Sequence, residues 1–261
     1  MKIARFSKKC AKAIAELDSR VALFGKDHSS DTVHDVRTSI RRVEAALDLL
    51  PKGVRQKKKI RKYLSACKKL FKSTTPVRDS DIVFSNLLTY ENDPNVQQVL
   101  AKIQNDRNHM LVSCSLCAEN LSNIKVPKIN KEELSLSTIS KRRKKIITKI
   151  QAKMQEGLPL ILRDFRKIDE LHDLRKQCKI LRYTLEILPS KSDEKLIGLM
   201  EEWQTLLGAI RDIDVTENFI NETGLSEELE AVIVNLKISR DGTLRSFVRS
   251  AKTDGIFIPS N

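Results

Sequence analysis

Two stretches of this chain, 138 residues apart, place the same residue types at the same spacing. His34, Arg37 and Arg41 stand at positions 0, +3 and +7 of the first, and His172, Arg175 and Lys179 at those of the second. Such a row has one evident chemistry. Guanidinium groups grip phosphate oxygens through paired N–H bonds, ammonium groups act as point charges, and a protonated imidazole adds a donor. Wound as a helix at about 100° per residue, the three positions fall within roughly 60° of one another. Arg42 adds a cation at +8 of the first copy, Arg182 adds one at +10 of the second, and both copies run on to a proline, Pro51 or Pro189.

The other face of each predicted helix is apolar: Val36, Ile40, Val43, Leu47 and Leu50 in the first copy, and Leu174, Cys178, Leu181, Leu185 and Leu188 in the second. Each helix is therefore predicted to have a core side and a cationic side. Thr32 or Asp31, and Asp169, are the expected N-caps, which puts each histidine in a first helical turn. There the unpaired N–H groups and the helix dipole already favour an anion. A lone copy is equally an ordinary solvated face with a capping histidine, and the repetition argues for an anion-binding surface.

Further cations sit on the elements that must flank these helices. Arg5, Lys9 and Lys12 lie beside an apolar stripe, Ile3 to Phe24, on a predicted first helix. Arg55, Lys59 and Lys62 lie on a predicted helix over 54–73, whose core side is Ile60, Leu64, Cys67, Leu70 and Phe71. Arg142, Lys145 and Lys149 continue as a basic stripe on a helix predicted to kink at Gly157-Leu158-Pro159.

A second element also recurs: Arg78-Asp79-Ser80-Asp81, and 133 residues later Arg211-Asp212-Ile213-Asp214. It is expected to be a turn whose acids open a helix and pair with nearby arginines. Two carboxylates can also hold a divalent metal, the less favoured reading. Cys114-x-x-Cys117 lacks the second pair a zinc site needs. His28 and His109 stand isolated, so no metal and no cofactor is expected.

Composition narrows the partner. The 261 residues carry a formal net charge of +14, which calls for a polyanion. Aromatic residues make up 5%, with one tryptophan, too few for the stacking that single-stranded nucleic acid requires. No apolar run approaches the ~20 residues of a membrane span, and the N-terminus shows no apolar secretory core. Five cysteines, an odd number, suggest reduced thiols and a cytoplasmic setting.

Only 8 glycines and 7 prolines, long helical periodicities and no strand pattern predict an all-α chain. Eight helices are expected, four in each half, with the His-Arg helix second. The chain is expected to break within 126–137, giving halves 1–125 and 126–261. The Arg-Asp-x-Asp elements are expected to separate the third and fourth helix of each half. Two related four-helix bundles can turn equivalent faces toward each other about a pseudo-twofold axis, with the basic stripes lining one groove.

His34-x-x-Arg37-x-x-x-Arg41-Arg42 and His172-x-x-Arg175-x-x-x-Lys179-x-x-Arg182-Tyr183, with Leu207-Gly208 to Val215, resemble the CHAD domain, the conserved histidine α-helical domain. The resemblance covers essentially the whole chain. It implies two pseudo-symmetric four-helix bundles flanking a basic groove, and binding of inorganic polyphosphate. With no β-rich segment for the triphosphate-tunnel domain that many members carry, the chain resembles a stand-alone member. It departs from the family at Glu44, where a basic residue often stands, and Glu201 and Glu202 add acid to the second half. An asymmetric groove is expected.

The function expected is non-enzymatic binding of inorganic polyphosphate in the cytoplasm, where polyphosphate granules would gather such a protein. Contact with a nucleic-acid backbone is the second reading, and metal-assisted hydrolysis of a phosphoanhydride the third, without a P-loop or carboxylate cluster to support it. No membrane partner is expected. Free histidine titrates near about 6.5, so binding is expected to tighten at mildly acidic pH.

Overall fold

The protein is described from a computed structural model covering residues 3–254 and Phe257. Among the described residues nine α-helices follow in order: α1 Ile3–Phe24, α2 Ser30–Asp48, α3 Lys52–Arg55, α4 Lys58–Leu87, α5 Pro94–Ser122, α6 Leu136–Arg163, α7 Ile168–Ile187, α8 Glu194–Thr223 and α9 Glu230–Asp254. No strand occurs among the described residues. Short 3-10 turns precede α5, α6 and α8.

Apolar spacing explains the packing. Phe6, Cys10, Ile14, Leu17, Val21 and Phe24 recur every three or four residues and form the buried stripe of α1. Val33, Val36, Ile40, Val43 and Leu47 form that of α2, and the two helices pack together. Likewise α8 packs against α9. Trp203 of α8 is buried with its ring 5.3 Å from Phe247 and 5.7 Å from Phe257, and its indole N–H donates to Ser250 Oγ at 3.1 Å.

Two predicted breaks are absent. Helix α4 runs through Pro76, and α8 runs unbroken from Glu194 to Thr223, so both Arg-Asp-x-Asp elements lie inside helices rather than at turns. Proline removes a backbone donor and crowds the preceding turn. The carbonyl that loses its donor is Lys72 O, and the two residues before it are braced by side chains: Thr74 donates to Leu70 O at 2.9 Å, Thr75 to Phe71 O at 2.9 Å and Arg37 to Phe71 O at 2.8 Å. Val77, fully buried just beyond the proline, anchors the continuing helix. Pro159 also lies inside a helix, α6, which continues past it to Arg163. Helix α8 ends at Thr223, where Gly224 caps it at a φ of 76°, a left-handed value that favours glycine.

The chain forms two compact units, neither a continuous stretch. The first comprises the described residues of Met1–Arg78, Asn105–Ile146 and Tyr183–Pro189; the second comprises those of Asp79–Gln104, Ile147–Arg182 and Ser190–Asn261. The first has its core among Phe6, Leu17, Phe24, Ile40, Leu47 and Leu70, joined by Ile187 and Leu188. In the second, Val83, Leu87, Val96 and Ile103 cluster with Ile213, Ile220 and Val232. Among the described residues no helix is long and apolar enough to cross a membrane.

Candidate anion-binding faces

The first copy of the motif lies in the first unit. Ser29 caps α2, its hydroxyl accepting from Thr32 N at 3.4 Å, so the cap falls upstream of Asp31 and Thr32. Helix α7 begins at Ile168, and Asp169 lies inside its first turn. His34 and His172 are thus each the fifth residue of their helix. Both sit two or three residues further in than the sequence suggested, beyond the unpaired N–H groups of the helix start. His34 is exposed, with its Nε2 3.4 Å from Thr38 Oγ1 on the same helix.

Arg37 and Arg41 are brought together by one ring. The Cζ of each lies 4.0 Å from the centroid of Phe71 on α4, a cation–π arrangement. Arg37 also donates from Nη1 to Phe71 O, to Thr74 Oγ1 at 3.2 Å and to Thr75 Oγ1 at 3.0 Å. Arg41 donates to Glu44 at 3.0 Å, the acid that stands where the second copy has Arg182, and Arg42 pairs with Glu16 at 3.4 Å. The first copy therefore holds its guanidinium groups in place with local partners.

The second copy lies in the second unit. His172 turns Nε2 inward, 3.4 Å from Asp214 Oδ2, and its side chain keeps 27% of its surface exposed. Asp214 itself is 4% exposed, and its Oδ1 accepts from Arg240 Nε at 2.6 Å. Burial alone would push the Asp214 carboxyl up. His172 and Arg240 outweigh it and hold the group below the usual carboxylate range. Arg175 runs beside α8, its Nε 4.0 Å from where a Cβ would stand on Gly208. Lys179 is half-buried, and Arg182 donates to Glu201 at 3.3 Å.

The Arg-Asp-x-Asp acids do pair with arginines. Arg211 donates to Asp79 at 2.6 Å, and Arg240 to Asp214. Among the described residues no group of three or more His, Cys, Asp or Glu is disposed to hold a metal ion.

The flanking cations divide into two kinds. Arg55 and Arg142 both pair with Asp48 at the end of α2, and Arg55 also donates to Leu50 O at 3.0 Å, so both tie that helix end. Lys9 is half-buried and donates to Glu186 O at 2.7 Å. Burial, then the neighbouring Arg5 and Lys12, lower its ammonium group against the opposing pull of Glu186. Arg5 and Lys12 on α1, Lys59 and Lys62 on α4, and Lys145 and Lys149 on α6 are exposed. Lys149 belongs to the second unit and the other five to the first.

Three contributors were not among the expected site residues: Phe71, Asp214 and Arg240. Phe71 was assigned to the core side of its helix, yet it is only half-buried and carries two guanidinium groups. Its spacing gave no warning, since at +4 from Cys67 and +11 from Ile60 it falls in step with the apolar stripe. For Asp214 the signal was the repeated element itself. Nothing local pointed to Arg240.

The sequence profile of the CHAD domain matches residues 8–221, a span that contains both copies of the motif. The chain belongs to the CHAD family. Its fold is similar to the crystal structure of the CHAD domain from the plant Ricinus communis, with a TM-score of 0.61 and 16% sequence identity. That likeness covers 95% of this chain and 90% of the plant one, and at such identity it bears on the CHAD fold alone. No curated protein matches the chain.

Proposed function

We propose that this CHAD protein binds inorganic polyphosphate without turning it over, through the cationic faces of α2 and α7. The observation that carries the reading is the repeated placement: a histidine at the fifth position of two helices, each followed at +3 and +7 by basic residues. Arg41, Arg42 and His34 on α2, and His172, Arg175, Lys179 and Arg182 on α7, are the proposed phosphate contacts. Arg5, Lys12, Lys59, Lys62, Lys145 and Lys149 extend the cationic surface. Arg37, Arg55 and Arg142 are assigned mainly to holding helices in place, because each also donates to a main-chain carbonyl, Phe71 O, Leu50 O and Asp48 O respectively. Polyphosphate presents closely spaced charges and no bases, which suits cations with few aromatic side chains among them. The cytoplasm is the proposed location.

Titration of labelled long-chain polyphosphate near physiological salt, with duplex DNA and duplex RNA as competitors, tests the reading. The variant Arg41→Ala/Lys179→Ala avoids the structural bonds of Arg37. Polyphosphate is expected to resist both competitors, and the folded variant to bind it at least about tenfold more weakly, on the scale of two lost charge-assisted contacts. Equal competition by duplex would assign the +14 charge to general polyanion binding. An unchanged affinity in the variant would overturn the site assignment.

A further inference from the structure

We infer that Asp214 is a positioning residue for anion binding, fixing the ring of His172 so that Nδ1 is the atom presented to a phosphate oxygen. The inference rests on the polyphosphate reading of α7.

Asp214 stands in the middle of α8, away from any helix end, and its side chain is 4% exposed. A carboxylate buried there is costly unless its charge is matched and its oxygens are bonded. One arginine would match the charge. The structure instead sets a basic side chain beside each oxygen: Oδ1 accepts from Arg240 Nε at 2.6 Å, and Oδ2 lies 3.4 Å from His172 Nε2, an ion-pair distance without a formed hydrogen bond, which a ligand on the far side of the ring would tighten. Arg240 is itself 13% exposed, so the pair forms an inner layer behind the histidine.

A carboxylate behind a histidine decides which ring nitrogen carries the inward proton and which way the ring faces. Here Nε2 is buried 3.4 Å from Asp214 Oδ2, while the side chain as a whole keeps 27% of its surface exposed. With Nε2–H directed at the carboxylate, Nδ1 is the nitrogen left for a ligand. When the ring carries its second proton, Nδ1–H becomes a donor to a phosphate oxygen. Asp214 does not repel that phosphate, because it lies behind the ring with its charge met by Arg240.

This also gives the Arg-Asp-x-Asp element of α8 a role. Arg211 ties the helix to Asp79 of α4, and three residues on, Asp214 stands behind the histidine at ion-pair distance. The second repeated element thus serves the first.

The substitution Asp214→Asn keeps the size of the side chain and removes its charge. Its folding is checked by circular dichroism and by the emission of Trp203. In the folded variant, polyphosphate affinity is expected to fall about tenfold, the scale of one charge-assisted hydrogen bond. In the background of His172→Gln the same substitution is expected to change affinity less than about twofold, since a positioning residue acts only through the ring it positions. Nitrogen NMR of wild-type protein provides a measurement independent of any variant. Nε2 is expected to carry the proton in the free protein, and Nδ1 to shift on addition of polyphosphate.

Full affinity in folded Asp214→Asn, an equal loss in the His172→Gln background, or a shift confined to Nε2 would each overturn the positioning role. A wild-type protein that fails to bind polyphosphate would instead overturn the reading beneath it. The proton on Nε2 in the free protein would still test the His172–Asp214 contact.

Discussion

Arg211 on α8 donates to Asp79 on α4 at 2.6 Å, joining the second copy of the Arg-Asp-x-Asp element to the first. The side chains are 18% and 32% exposed, so the pair is well shielded from water without being fully buried. Residues 132 positions apart in sequence become direct partners where two helix interiors meet.

Removing either partner is expected to destabilise the second unit. Arg211→Ala and Asp79→Ala should each cost about 1–2 kcal/mol in urea unfolding, because each leaves the other charge poorly met. Arg211 also lies 3.5 Å from Asp212, so its loss should cost the more. The double variant should cost less than the two singles combined, the mark of a coupled pair. Strict additivity would show that the contact contributes nothing.

Asp214 gives stability a definite pH dependence. Its folded carboxyl is held below the ordinary value of 3.8 by His172 and Arg240, against the opposing effect of burial. A lowered folded value means that the unfolded chain takes up its proton first as pH falls. The contribution is therefore fully present above the unfolded value and is lost as pH drops through the folded one. Wild-type urea midpoints should decline between neutral pH and pH values below about 4, more steeply than those of Asp214→Asn. Parallel profiles would contradict the shift.

Arg37 and Arg41 stack on the same ring but should behave differently. Arg37 makes three hydrogen bonds into the turn that leads to Pro76, and Arg37→Ala should cost about 1–3 kcal/mol in urea unfolding of a folded, helical protein. Arg41 is 40% exposed and meets Glu44 near the surface, so Arg41→Ala should cost less than about 1 kcal/mol. A reversed order would show that α2 and α4 are not joined in this way.

Thiol labelling checks the burial of the cysteines. Burial pushes Cys10, Cys67 and Cys178 up to about 12, which keeps them as unreactive thiols at neutral pH. Cys117 is half-buried. In native protein a disulfide reagent should modify Cys117 first, and Cys10, Cys67 and Cys178 only after unfolding. Early labelling of Cys178 would contradict the burial of the core side of α7.

Amphipathic spacing made much of this architecture legible. Phe6 to Phe24 on α1, Val36 to Leu47 on α2, and Leu174, Cys178 and Leu181 on α7 are buried as their periodicity requires. That pattern is local, since it depends only on residues three and four apart along one helix. The cationic faces opposite them were legible for the same reason. Helix ends were read less well. Pro76 looked like a break, but Thr74, Thr75, Arg37 and the buried Val77 hold the helix through it, and one of those is 39 residues upstream.

By itself, then, the sequence determined the helices, which side of each is apolar, and that two of them repeat a row of His, Arg and basic residues. Tertiary structure decided what each of those residues touches. Phe71 under Arg37 and Arg41, Asp48 between Arg55 and Arg142, and Asp214 behind His172 are contacts between helices. A helix repeats its own faces through local geometry, but its neighbour is set by where the folded chain brings another helix alongside. No periodicity within one helix encodes that choice.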